Sequence, residues 1–137
     1  MDQPATIDQL LELARANIDR LTPVEAYAAQ RAGALIVDIR PLEQRRRDGN
    51  IPGALVVDRN VLEWRLAPTS KWRLAEVTDR LVILICNQGY QSSLAAHTIR
   101  RLGMSSTADV IGGFEPWFAG ALPLIDPTDP DTPRPVP

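Results

Sequence analysis

An α/β domain with a parallel sheet between two layers of helices is the fold class that the sequence predicts. Two stretches, residues 34–39 and 81–85, are almost continuously apolar, which is typical of strands buried on both faces. Segments with helical spacing of apolar residues alternate with the predicted strands. Right-handed crossover connections then place helices on both faces of the sheet, in three layers. A length of 137 residues fits one such domain.

The first element that the sequence predicts is an amphipathic helix. Apolar residues recur at helical spacing across residues 6–20, and Thr6 and Gln9 form a capping-box pair at its start. We therefore expect residues 1–20 to form an N-terminal helical segment ahead of the main domain, which occupies residues 21–124.

Helices and strands then alternate along residues 21–124. Thr22 and Glu25 form a second capping-box pair, and Gly33 fits a helix stop. The predicted order is a helix at 22–32, a strand at 34–39, a short helix at 41–48, a strand at roughly 54–58, weak helical or loop segments at 60–66 and 70–79, a strand at 81–85, a helix at 92–102, a strand within "TADVIGG" and a closing helix within "FEPWFAG". This pattern gives four strands.

Residues 125–137 differ in composition from the rest of the chain. Six prolines fall within the last fifteen residues, interleaved with Asp and Thr. The composition predicts an extended, flexible tail of polyproline type. A plain disordered terminus and a ligand for a proline-binding module are the two interpretations that remain open.

Composition excludes several classes of protein. A net charge of −2 gives no reason to expect nucleic acid or an anionic membrane as partner. No apolar stretch approaches the length of a membrane span, and the first twenty residues lack the pattern of a signal peptide. One cysteine cannot form an internal disulfide, and with one histidine it cannot form a structural zinc site of the usual kind. We therefore expect a free thiol in the reducing cytoplasm.

That single cysteine, Cys86, stands at the carboxyl end of the predicted strand 81–85, the edge where open α/β sheets bind ligands. The loop from Cys86 to Gln91 leads into the helix near Ser92, and its N–H groups have no partner in a strand or helix. If the loop curls, these donors and the helix N-terminus converge on the sulfur and favour its thiolate form. Gly89 permits such a curl. The alternative is an inert, buried cysteine.

Two chemistries fit a strand–cysteine–loop–helix unit. A cysteine phosphatase needs an arginine six residues after the cysteine, but Ser92 occupies that position and no arginine lies in the loop. His97 falls beyond the first turn of the following helix, which makes it a poor partner for Cys86. Sulfur transfer through a cysteine persulfide needs only a nucleophilic thiolate and N–H groups that hold the anion.

Four segments resemble the rhodanese-like sulfurtransferase family over residues 21–124. The first, "TPVEAYAAQRAGALIVDIR", contains Asp38 and Arg40 of a "VD-x-R" signature, and "GNIPGA" is similar to the "GHIPGA" of that family. "CNQGYQSS" matches its Cys-x-x-Gly-x-x-Ser loop, and "GGFEPWFAGALPL" its closing segment. The resemblance implies a five-stranded parallel sheet, a persulfide on Cys86, and no metal or organic cofactor. A fifth strand is therefore expected beyond the four that the pattern reveals.

The site residues are assigned from their places along the chain, in the loop and beside the predicted strand ends. The backbone amides of the loop would hold the persulfide, with the Ser92 hydroxyl as an additional donor and Tyr90 at the mouth of the pocket. Arg40 and Arg59 are candidate contacts for an anionic donor, and Asp38 a structural support near the loop. The predicted loop residues are Asn87, Gln88, Gly89, Tyr90, Gln91 and Ser92.

Gln91 departs from the family pattern, because many members that use thiosulfate carry arginine at this position. A neutral side chain weakens the positive field on an incoming anion, so a persulfide donor stays open beside thiosulfate. The loop also lacks the Cys-Gly-Ser/Thr-Gly pattern of members that use mercaptopyruvate.

The predicted function is a cytoplasmic sulfurtransferase. Its donor is a small sulfur-containing anion, thiosulfate or a persulfide, and its acceptor a thiol or cyanide. A protein as sulfur donor or acceptor stays open. The alternative is a non-catalytic rhodanese-like module that binds a partner or carries sulfur.

Overall fold

The computed structural model describes residues 3–125, which form an α/β domain around one parallel sheet. Its five strands are Asp19–Leu21 (β1), Leu35–Asp38 (β2), Leu55–Val56 (β3), Val82–Ile85 (β4) and Ala108–Val110 (β5). They pair in the order β1-β5-β4-β2-β3, and every pair is parallel. The α-helices of this part of the chain are Ile7–Ala16 (α1), Pro23–Arg31 (α2), Leu42–Asp48 (α3), Leu62–Leu66 (α4), Gln91–Arg101 (α5) and Phe114–Ala119 (α6).

Both faces of the sheet are buried, as the apolar runs predict. In β4, Val82 and Leu84 join a core with side chains of α4 and α5, whereas Ile83 and Ile85 join a second core with α2 and α6. α1 packs on the outside of α5. The predicted three-layer fold is therefore confirmed. Because neither face of these strands is exposed to solvent, their sequences are apolar throughout and do not alternate between apolar and polar residues.

The fifth strand is β1, which lies inside the segment predicted as the first helix. That helix ends earlier than predicted, at Ala16, with Asn17 as its C-cap. Residues 19–21 then pair with β5 at the edge of the sheet. The sequence Asp-Arg-Leu contains one apolar residue and no strand pattern. Its extended conformation comes from pairing with a strand almost ninety residues away, which local periodicity cannot reveal.

The other helices lie close to their predicted positions. Both capping boxes form, from Thr6 to Gln9 and from Thr22 to Glu25. α5 begins at Gln91, one residue before its predicted start. The weak segment 60–66 becomes a 3-10 turn followed by α4, whereas 70–79 contains only a 3-10 turn at Ala75–Val77. No helix among residues 3–125 combines the length and apolar character that crossing a membrane requires.

Ile125, the first residue of the predicted tail, is bound to the domain. Its N–H donates to the Asn50 carbonyl at 2.7 Å, and its carbonyl accepts from the Asn50 N–H at 3.0 Å. The rest of the predicted tail, residues 126–137, lies outside the described residues, so its extended character stays a prediction.

Trp117 on α6 is the largest side chain that is fully buried. Its ring meets Tyr27 of α2 edge-on, and its indole N–H donates to the Pro123 carbonyl at 3.0 Å. We expect Trp117→Ala to lower the free energy of unfolding by about 3–5 kcal/mol, measured by urea denaturation, because it leaves a large cavity. Trp64→Ala is the matched control, since Trp64 is 58% exposed, and should cost less than about 1 kcal/mol. Equal losses in the two variants would contradict this prediction.

Candidate functional site

Cys86 directly follows β4, a central strand of the sheet, at its carboxyl end. The side chain is 7% exposed and lies at the bottom of an open pocket of about 310 Å³. Arg40, Arg59 and Gln91 also line this pocket, with other side chains of the loop. The thiol is therefore largely buried but borders a space that a small molecule can enter.

Two backbone amides donate hydrogen bonds to the Cys86 sulfur. The Gly89 N–H lies 3.1 Å from Sγ, and the Ser92 N–H, in the first turn of α5, lies 3.3 Å from it. Among the described residues, the amides of Tyr90 and Gln91 have no hydrogen-bond acceptor. The predicted curl of the loop is confirmed. Donors of this kind, at the positive end of a helix, stabilise negative charge on sulfur.

Position 89 of the loop has no room for a side chain larger than that of glycine. Its φ of +83° lies in the left-handed region, and a Cβ built there would lie 2.7 Å from the backbone nitrogen of Gly112. This contact packs Gly112, one of the two glycines that precede α6, against the loop that contains Gly89. The sequence prediction that Gly89 serves a tight curl is therefore confirmed by both its conformation and its surroundings.

The start of α6 holds the first carbonyls of the loop. The Phe114 N–H donates to the Cys86 carbonyl at 2.8 Å, and the Glu115 N–H donates to the Asn87 carbonyl at 3.2 Å. The Gln88 side chain adds a 3.1 Å hydrogen bond to the Glu115 carboxylate. These contacts attach the outer side of the loop to the Gly-Gly-Phe-Glu segment at the start of α6.

Two arginines donate hydrogen bonds to a third carbonyl of the loop, that of Gly89. Arg15 of α1 donates to it from Nη2 at 2.8 Å, and Arg20 of β1 donates from Nη2 at 3.2 Å. The Arg15 guanidinium also lies 5.5 Å from the centre of the Tyr90 ring. Tyr90 itself is largely exposed, at the pocket, as predicted.

A buried carboxylate, Asp109 of β5, organises the region behind the loop. It is 0% exposed and accepts from the hydroxyls of Ser92 and Ser93, each at 2.8 Å, and from Arg20 Nε at 2.9 Å. The Ser92 hydroxyl therefore binds Asp109 and not the sulfur, contrary to the prediction, so that Ser92 acts on the sulfur through its amide. Both carboxylate oxygens of Asp109 accept hydrogen bonds, which offsets the cost of burying its charge.

Asp38 and Arg40 form a second buried ion pair on the other side of Cys86. Arg40 donates to both Asp38 oxygens, from Nε at 3.0 Å and from Nη2 at 2.7 Å, and Nη2 also donates to the Gly49 carbonyl at 3.0 Å. Its guanidinium lies 3.8 Å from the centre of the Phe114 ring. Asp38 thus supports the loop indirectly, through Arg40 and Phe114. Arg40 Nη1 is buried without a protein partner among the described residues.

A second buried arginine, Arg45 of α3, lies next to this pair. Its Nε donates to the Arg40 carbonyl at 3.3 Å. Burial lowers the pKa of the Arg45 guanidinium, while the nearby Asp38 carboxylate acts in the opposite direction. Two guanidinium groups, those of Arg40 and Arg45, and one carboxylate, that of Asp38, therefore lie together on this side of the site.

Arg59 lies at the rim of the pocket, beside the position where the family often has arginine. Its Nε is 3.3 Å from the Gln91 side-chain oxygen, and its Nη1 is 2.8 Å from the Glu63 carboxylate. Arg59 is half-buried and shares its charge with Glu63. The structure therefore brings a guanidinium to the pocket from outside the loop.

Sequence reasoning missed the supports behind the loop, which are Arg15, Arg20, Ser93 and Asp109. The one local signal was an acidic residue, Asp109, within a predicted buried strand, since an unpaired carboxylate is costly there. Nothing in the sequence pairs that residue with Arg20, which lies 89 positions earlier.

The family model described as "Rhodanese-like domain" matches residues 22–119, and the chain belongs to this family. A relative from Stutzerimonas stutzeri, named thiosulfate sulfurtransferase GlpE, is 34% identical over 98 residues, which cover 72% of this chain and 83% of that protein. A protein of the same name from Pseudomonas savastanoi pv. phaseolicola is 29% identical over 100 residues, covering 73% of this chain and 87% of that protein. The predicted family is therefore confirmed.

Solved structures agree on the fold. A Rhodopseudomonas palustris protein of unknown function, described as a possible tyrosine phosphatase, superposes with a TM-score of 0.81 at 33% identity, covering 90% of this chain and 98% of that one. The polysulfide-sulfur transferase of Wolinella succinogenes superposes with a TM-score of 0.71 at 23% identity and covers 88% of each chain, which supports the fold alone.

Gly89→Ala tests the close approach of the loop to Gly112. We expect a loss of about 2–4 kcal/mol in unfolding free energy, since the new methyl group adds a steric clash to backbone strain. Alkylation of Cys86 by iodoacetamide should slow as the amides leave the sulfur. Gly33→Ala is the control, because its φ is +111° but its Cβ would meet nothing within 4 Å. If both variants lose the same stability and alkylate at equal rates, the packing argument is wrong.

Proposed function

We propose that this protein transfers sulfane sulfur through a persulfide on Cys86. The thiolate attacks the outer sulfur of the donor, and the donor's S–S bond breaks. With thiosulfate the leaving group is sulfite, which takes the bonding electron pair and leaves Cys86–S–S⁻. An acceptor thiolate or cyanide then attacks the outer sulfur, and Sγ leaves as the thiolate.

The observation that carries this proposal is the pair of amide hydrogen bonds to Sγ at the bottom of the pocket. These donors stabilise the thiolate before the reaction, and they are joined in the same concave surface by the unengaged amides of Tyr90 and Gln91. Preorganised donors cost no reorganisation when charge moves from Sγ to the outer sulfur of the persulfide. The chemistry needs no separate general base, which fits a pocket without an imidazole.

The donor is a small sulfur-containing anion. Arg59 faces it from the rim, whereas the guanidinium of Arg40, in the wall of the pocket, is buried and paired with Asp38. Gln91 supplies no charge, and Glu63 offsets part of the charge on Arg59. Thiosulfate is supported by the names of the GlpE relatives, and the weakened field leaves a persulfide with a single charge as a second candidate donor.

Two other functions compete with this one. A non-catalytic module that binds a partner or carries sulfur would accept one sulfur but would not turn over. A phosphatase activity is suggested by the description of the Rhodopseudomonas palustris protein. It is disfavoured here because Ser92 takes the place of the phosphate-binding arginine and its hydroxyl is bound to Asp109.

The proposed setting is the cytoplasm, because its reducing conditions keep a lone thiol free. A protein carrying a persulfide or an acceptor thiol could present its sulfur at the exposed mouth of the pocket, beside Tyr90. A small molecule would fit entirely within the pocket volume.

Cys86→Ser tests the function directly. After incubation with thiosulfate or glutathione persulfide, mass spectrometry should find one added sulfur on wild-type Cys86 and none on the variant. Thiocyanate production from cyanide should fall to background in the variant, since a hydroxyl cannot form a persulfide. An adduct without turnover for any donor and acceptor would support the carrier module. Hydrolysis of an aryl phosphate, absent in the variant, would instead support the phosphatase.

Arg59→Gln and Gln91→Arg test which group attracts the donor. We expect Arg59→Gln to raise the KM for thiosulfate about fivefold with a small change in kcat, because it removes a partly exposed charge contact. Gln91→Arg should lower that KM by a similar factor. Arg65→Gln, which removes the same charge from α4 outside the pocket, is the control. An unchanged KM in Arg59→Gln would exclude Arg59 as a donor contact.

A further inference from the structure

Helix α1 precedes the segment that matches the family model, yet it contributes a side chain to the catalytic loop. Arg15, in its last turn, donates from Nη2 to the Gly89 carbonyl at 2.8 Å and from Nε to the Ser93 hydroxyl at 3.1 Å. Its guanidinium also contacts the Tyr90 ring. These contacts span more than seventy residues of sequence.

We propose that Arg15 is a positioning residue for sulfur transfer, and this inference rests on the function proposed above. In a trans peptide group the carbonyl and the N–H of the next residue point in opposite directions. The described chain contains no cis peptide bond. When Arg15 holds the Gly89 carbonyl behind the loop, the Tyr90 N–H must therefore face the other side. Gly89 and Ser92 already direct their amides to the sulfur on that side.

The orientation of the Tyr90 amide matters for the intermediate. The two amides already bound to Sγ are positioned for the thiolate. In the persulfide the charge lies on a second sulfur, about 2 Å further out, which needs donors of its own. The N–H groups of Tyr90 and Gln91 have no acceptor among the described residues, so they are available as donors to this second sulfur. Arg15 thus acts on the persulfide through one peptide group.

Arg20 contacts the same carbonyl but is less suited to this role. Its Nε and Nη2 are bound to Asp109 at 2.9 and 3.3 Å, and its contact with Gly89 is longer than that of Arg15, at 3.2 Å. No carboxylate of residues 3–125 forms an ion pair with Arg15. Arg15 therefore adds an uncompensated positive charge directly behind the loop, which further favours an anion on its other side.

A purely structural role is the alternative, in which Arg15 only attaches α1 to the domain. The capping box at Thr6 and the buried side chain of Ala14, on the helix that packs against α5, also serve that attachment. The structural role and the positioning role predict different effects of an Arg15 variant. Loss of attachment lowers stability, whereas loss of positioning changes the reactivity of Cys86 at a given stability.

The experiment compares Arg15→Met, Arg15→Lys and Ala14→Gly with the wild-type chain. Ala14→Gly weakens α1 and its packing while leaving Arg15 in place. Three quantities are measured for each variant: the unfolding midpoint in urea, the rate of Cys86 alkylation by iodoacetamide, and the rate and lifetime of the persulfide formed with thiosulfate or glutathione persulfide.

We expect Arg15→Met to slow persulfide formation about tenfold and to shorten its lifetime, because a hydrogen bond from a charged donor is lost. Alkylation should also slow, at a midpoint no lower than that of Ala14→Gly. Arg15→Lys keeps the charge and one donor and should fall between wild type and Arg15→Met. Ala14→Gly should react at the wild-type rate.

Wild-type rates in Arg15→Met, or an equal loss in Ala14→Gly, would overturn the inference. Its failure is distinct from a failure of the proposed function. If the wild-type chain accepts no sulfur but Arg15→Met alone slows alkylation, the proposed function is wrong, and only the positioning of the loop around the Cys86 thiol stands. If the wild-type chain forms the persulfide and Arg15→Met forms it equally well, the function stands and the positioning role is wrong.

Discussion

The direction of the peptide groups between Cys86 and Ser92 is the constraint on which this site depends. The carbonyls of Cys86, Asn87 and Gly89 are all bound on the outer side of the loop, by amides of α6 and by two arginines. Because the carbonyl and the following N–H of a trans peptide group point in opposite directions, fixing these carbonyls turns the N–H groups of Asn87, Gln88 and Tyr90 away from the outer side of the loop. The N–H groups of Gly89 and Ser92 bind the sulfur. When the negative charge moves from one sulfur to the next, a surface of several amides offers donors at both positions. A single side chain at a fixed position offers donors at one of them.

Two buried ion pairs keep this surface rigid, one on each side of β4. The pair of Asp38 and Arg40 supports the loop through Phe114, and that of Asp109 and Arg20 supports it through the start of α5. Buried ion pairs are weak contributors to stability because desolvation offsets much of their attraction. Their value here is geometric, since each charged group is bound by several partners and admits one arrangement of the loop.

Sequence reasoning revealed the parts of the site whose cause is local. Cys86 at a strand end, Gly89 in a tight loop and the capping boxes follow from neighbours within a few residues, and the two apolar runs gave the buried strands. β1 was missed because three residues at a sheet edge acquire their conformation from β5, far along the chain. Arg15 and Arg20 were missed for the same reason, since arginines near a predicted helix ordinarily face solvent. The Asp109 carboxylate, which binds Arg20, Ser92 and Ser93, is one acidic residue in an otherwise apolar strand.

Positive charge reaches the surroundings of Cys86 from outside the loop, in which position 91 is neutral. A loop arginine would place a fork of donors directly on the incoming anion. Here the positive charge is divided between Arg59 at the rim and Arg15 behind the loop, while Glu63 offsets part of the charge on Arg59 and Asp38 offsets that on Arg40. A divided field attracts an anion without fixing the orientation of two separate oxygens. Such a field distinguishes poorly between a thiosulfate dianion and a persulfide monoanion by charge. We infer that the amides, which contact the transferred sulfur and not the leaving group, contribute most of the selectivity of this site for sulfane sulfur.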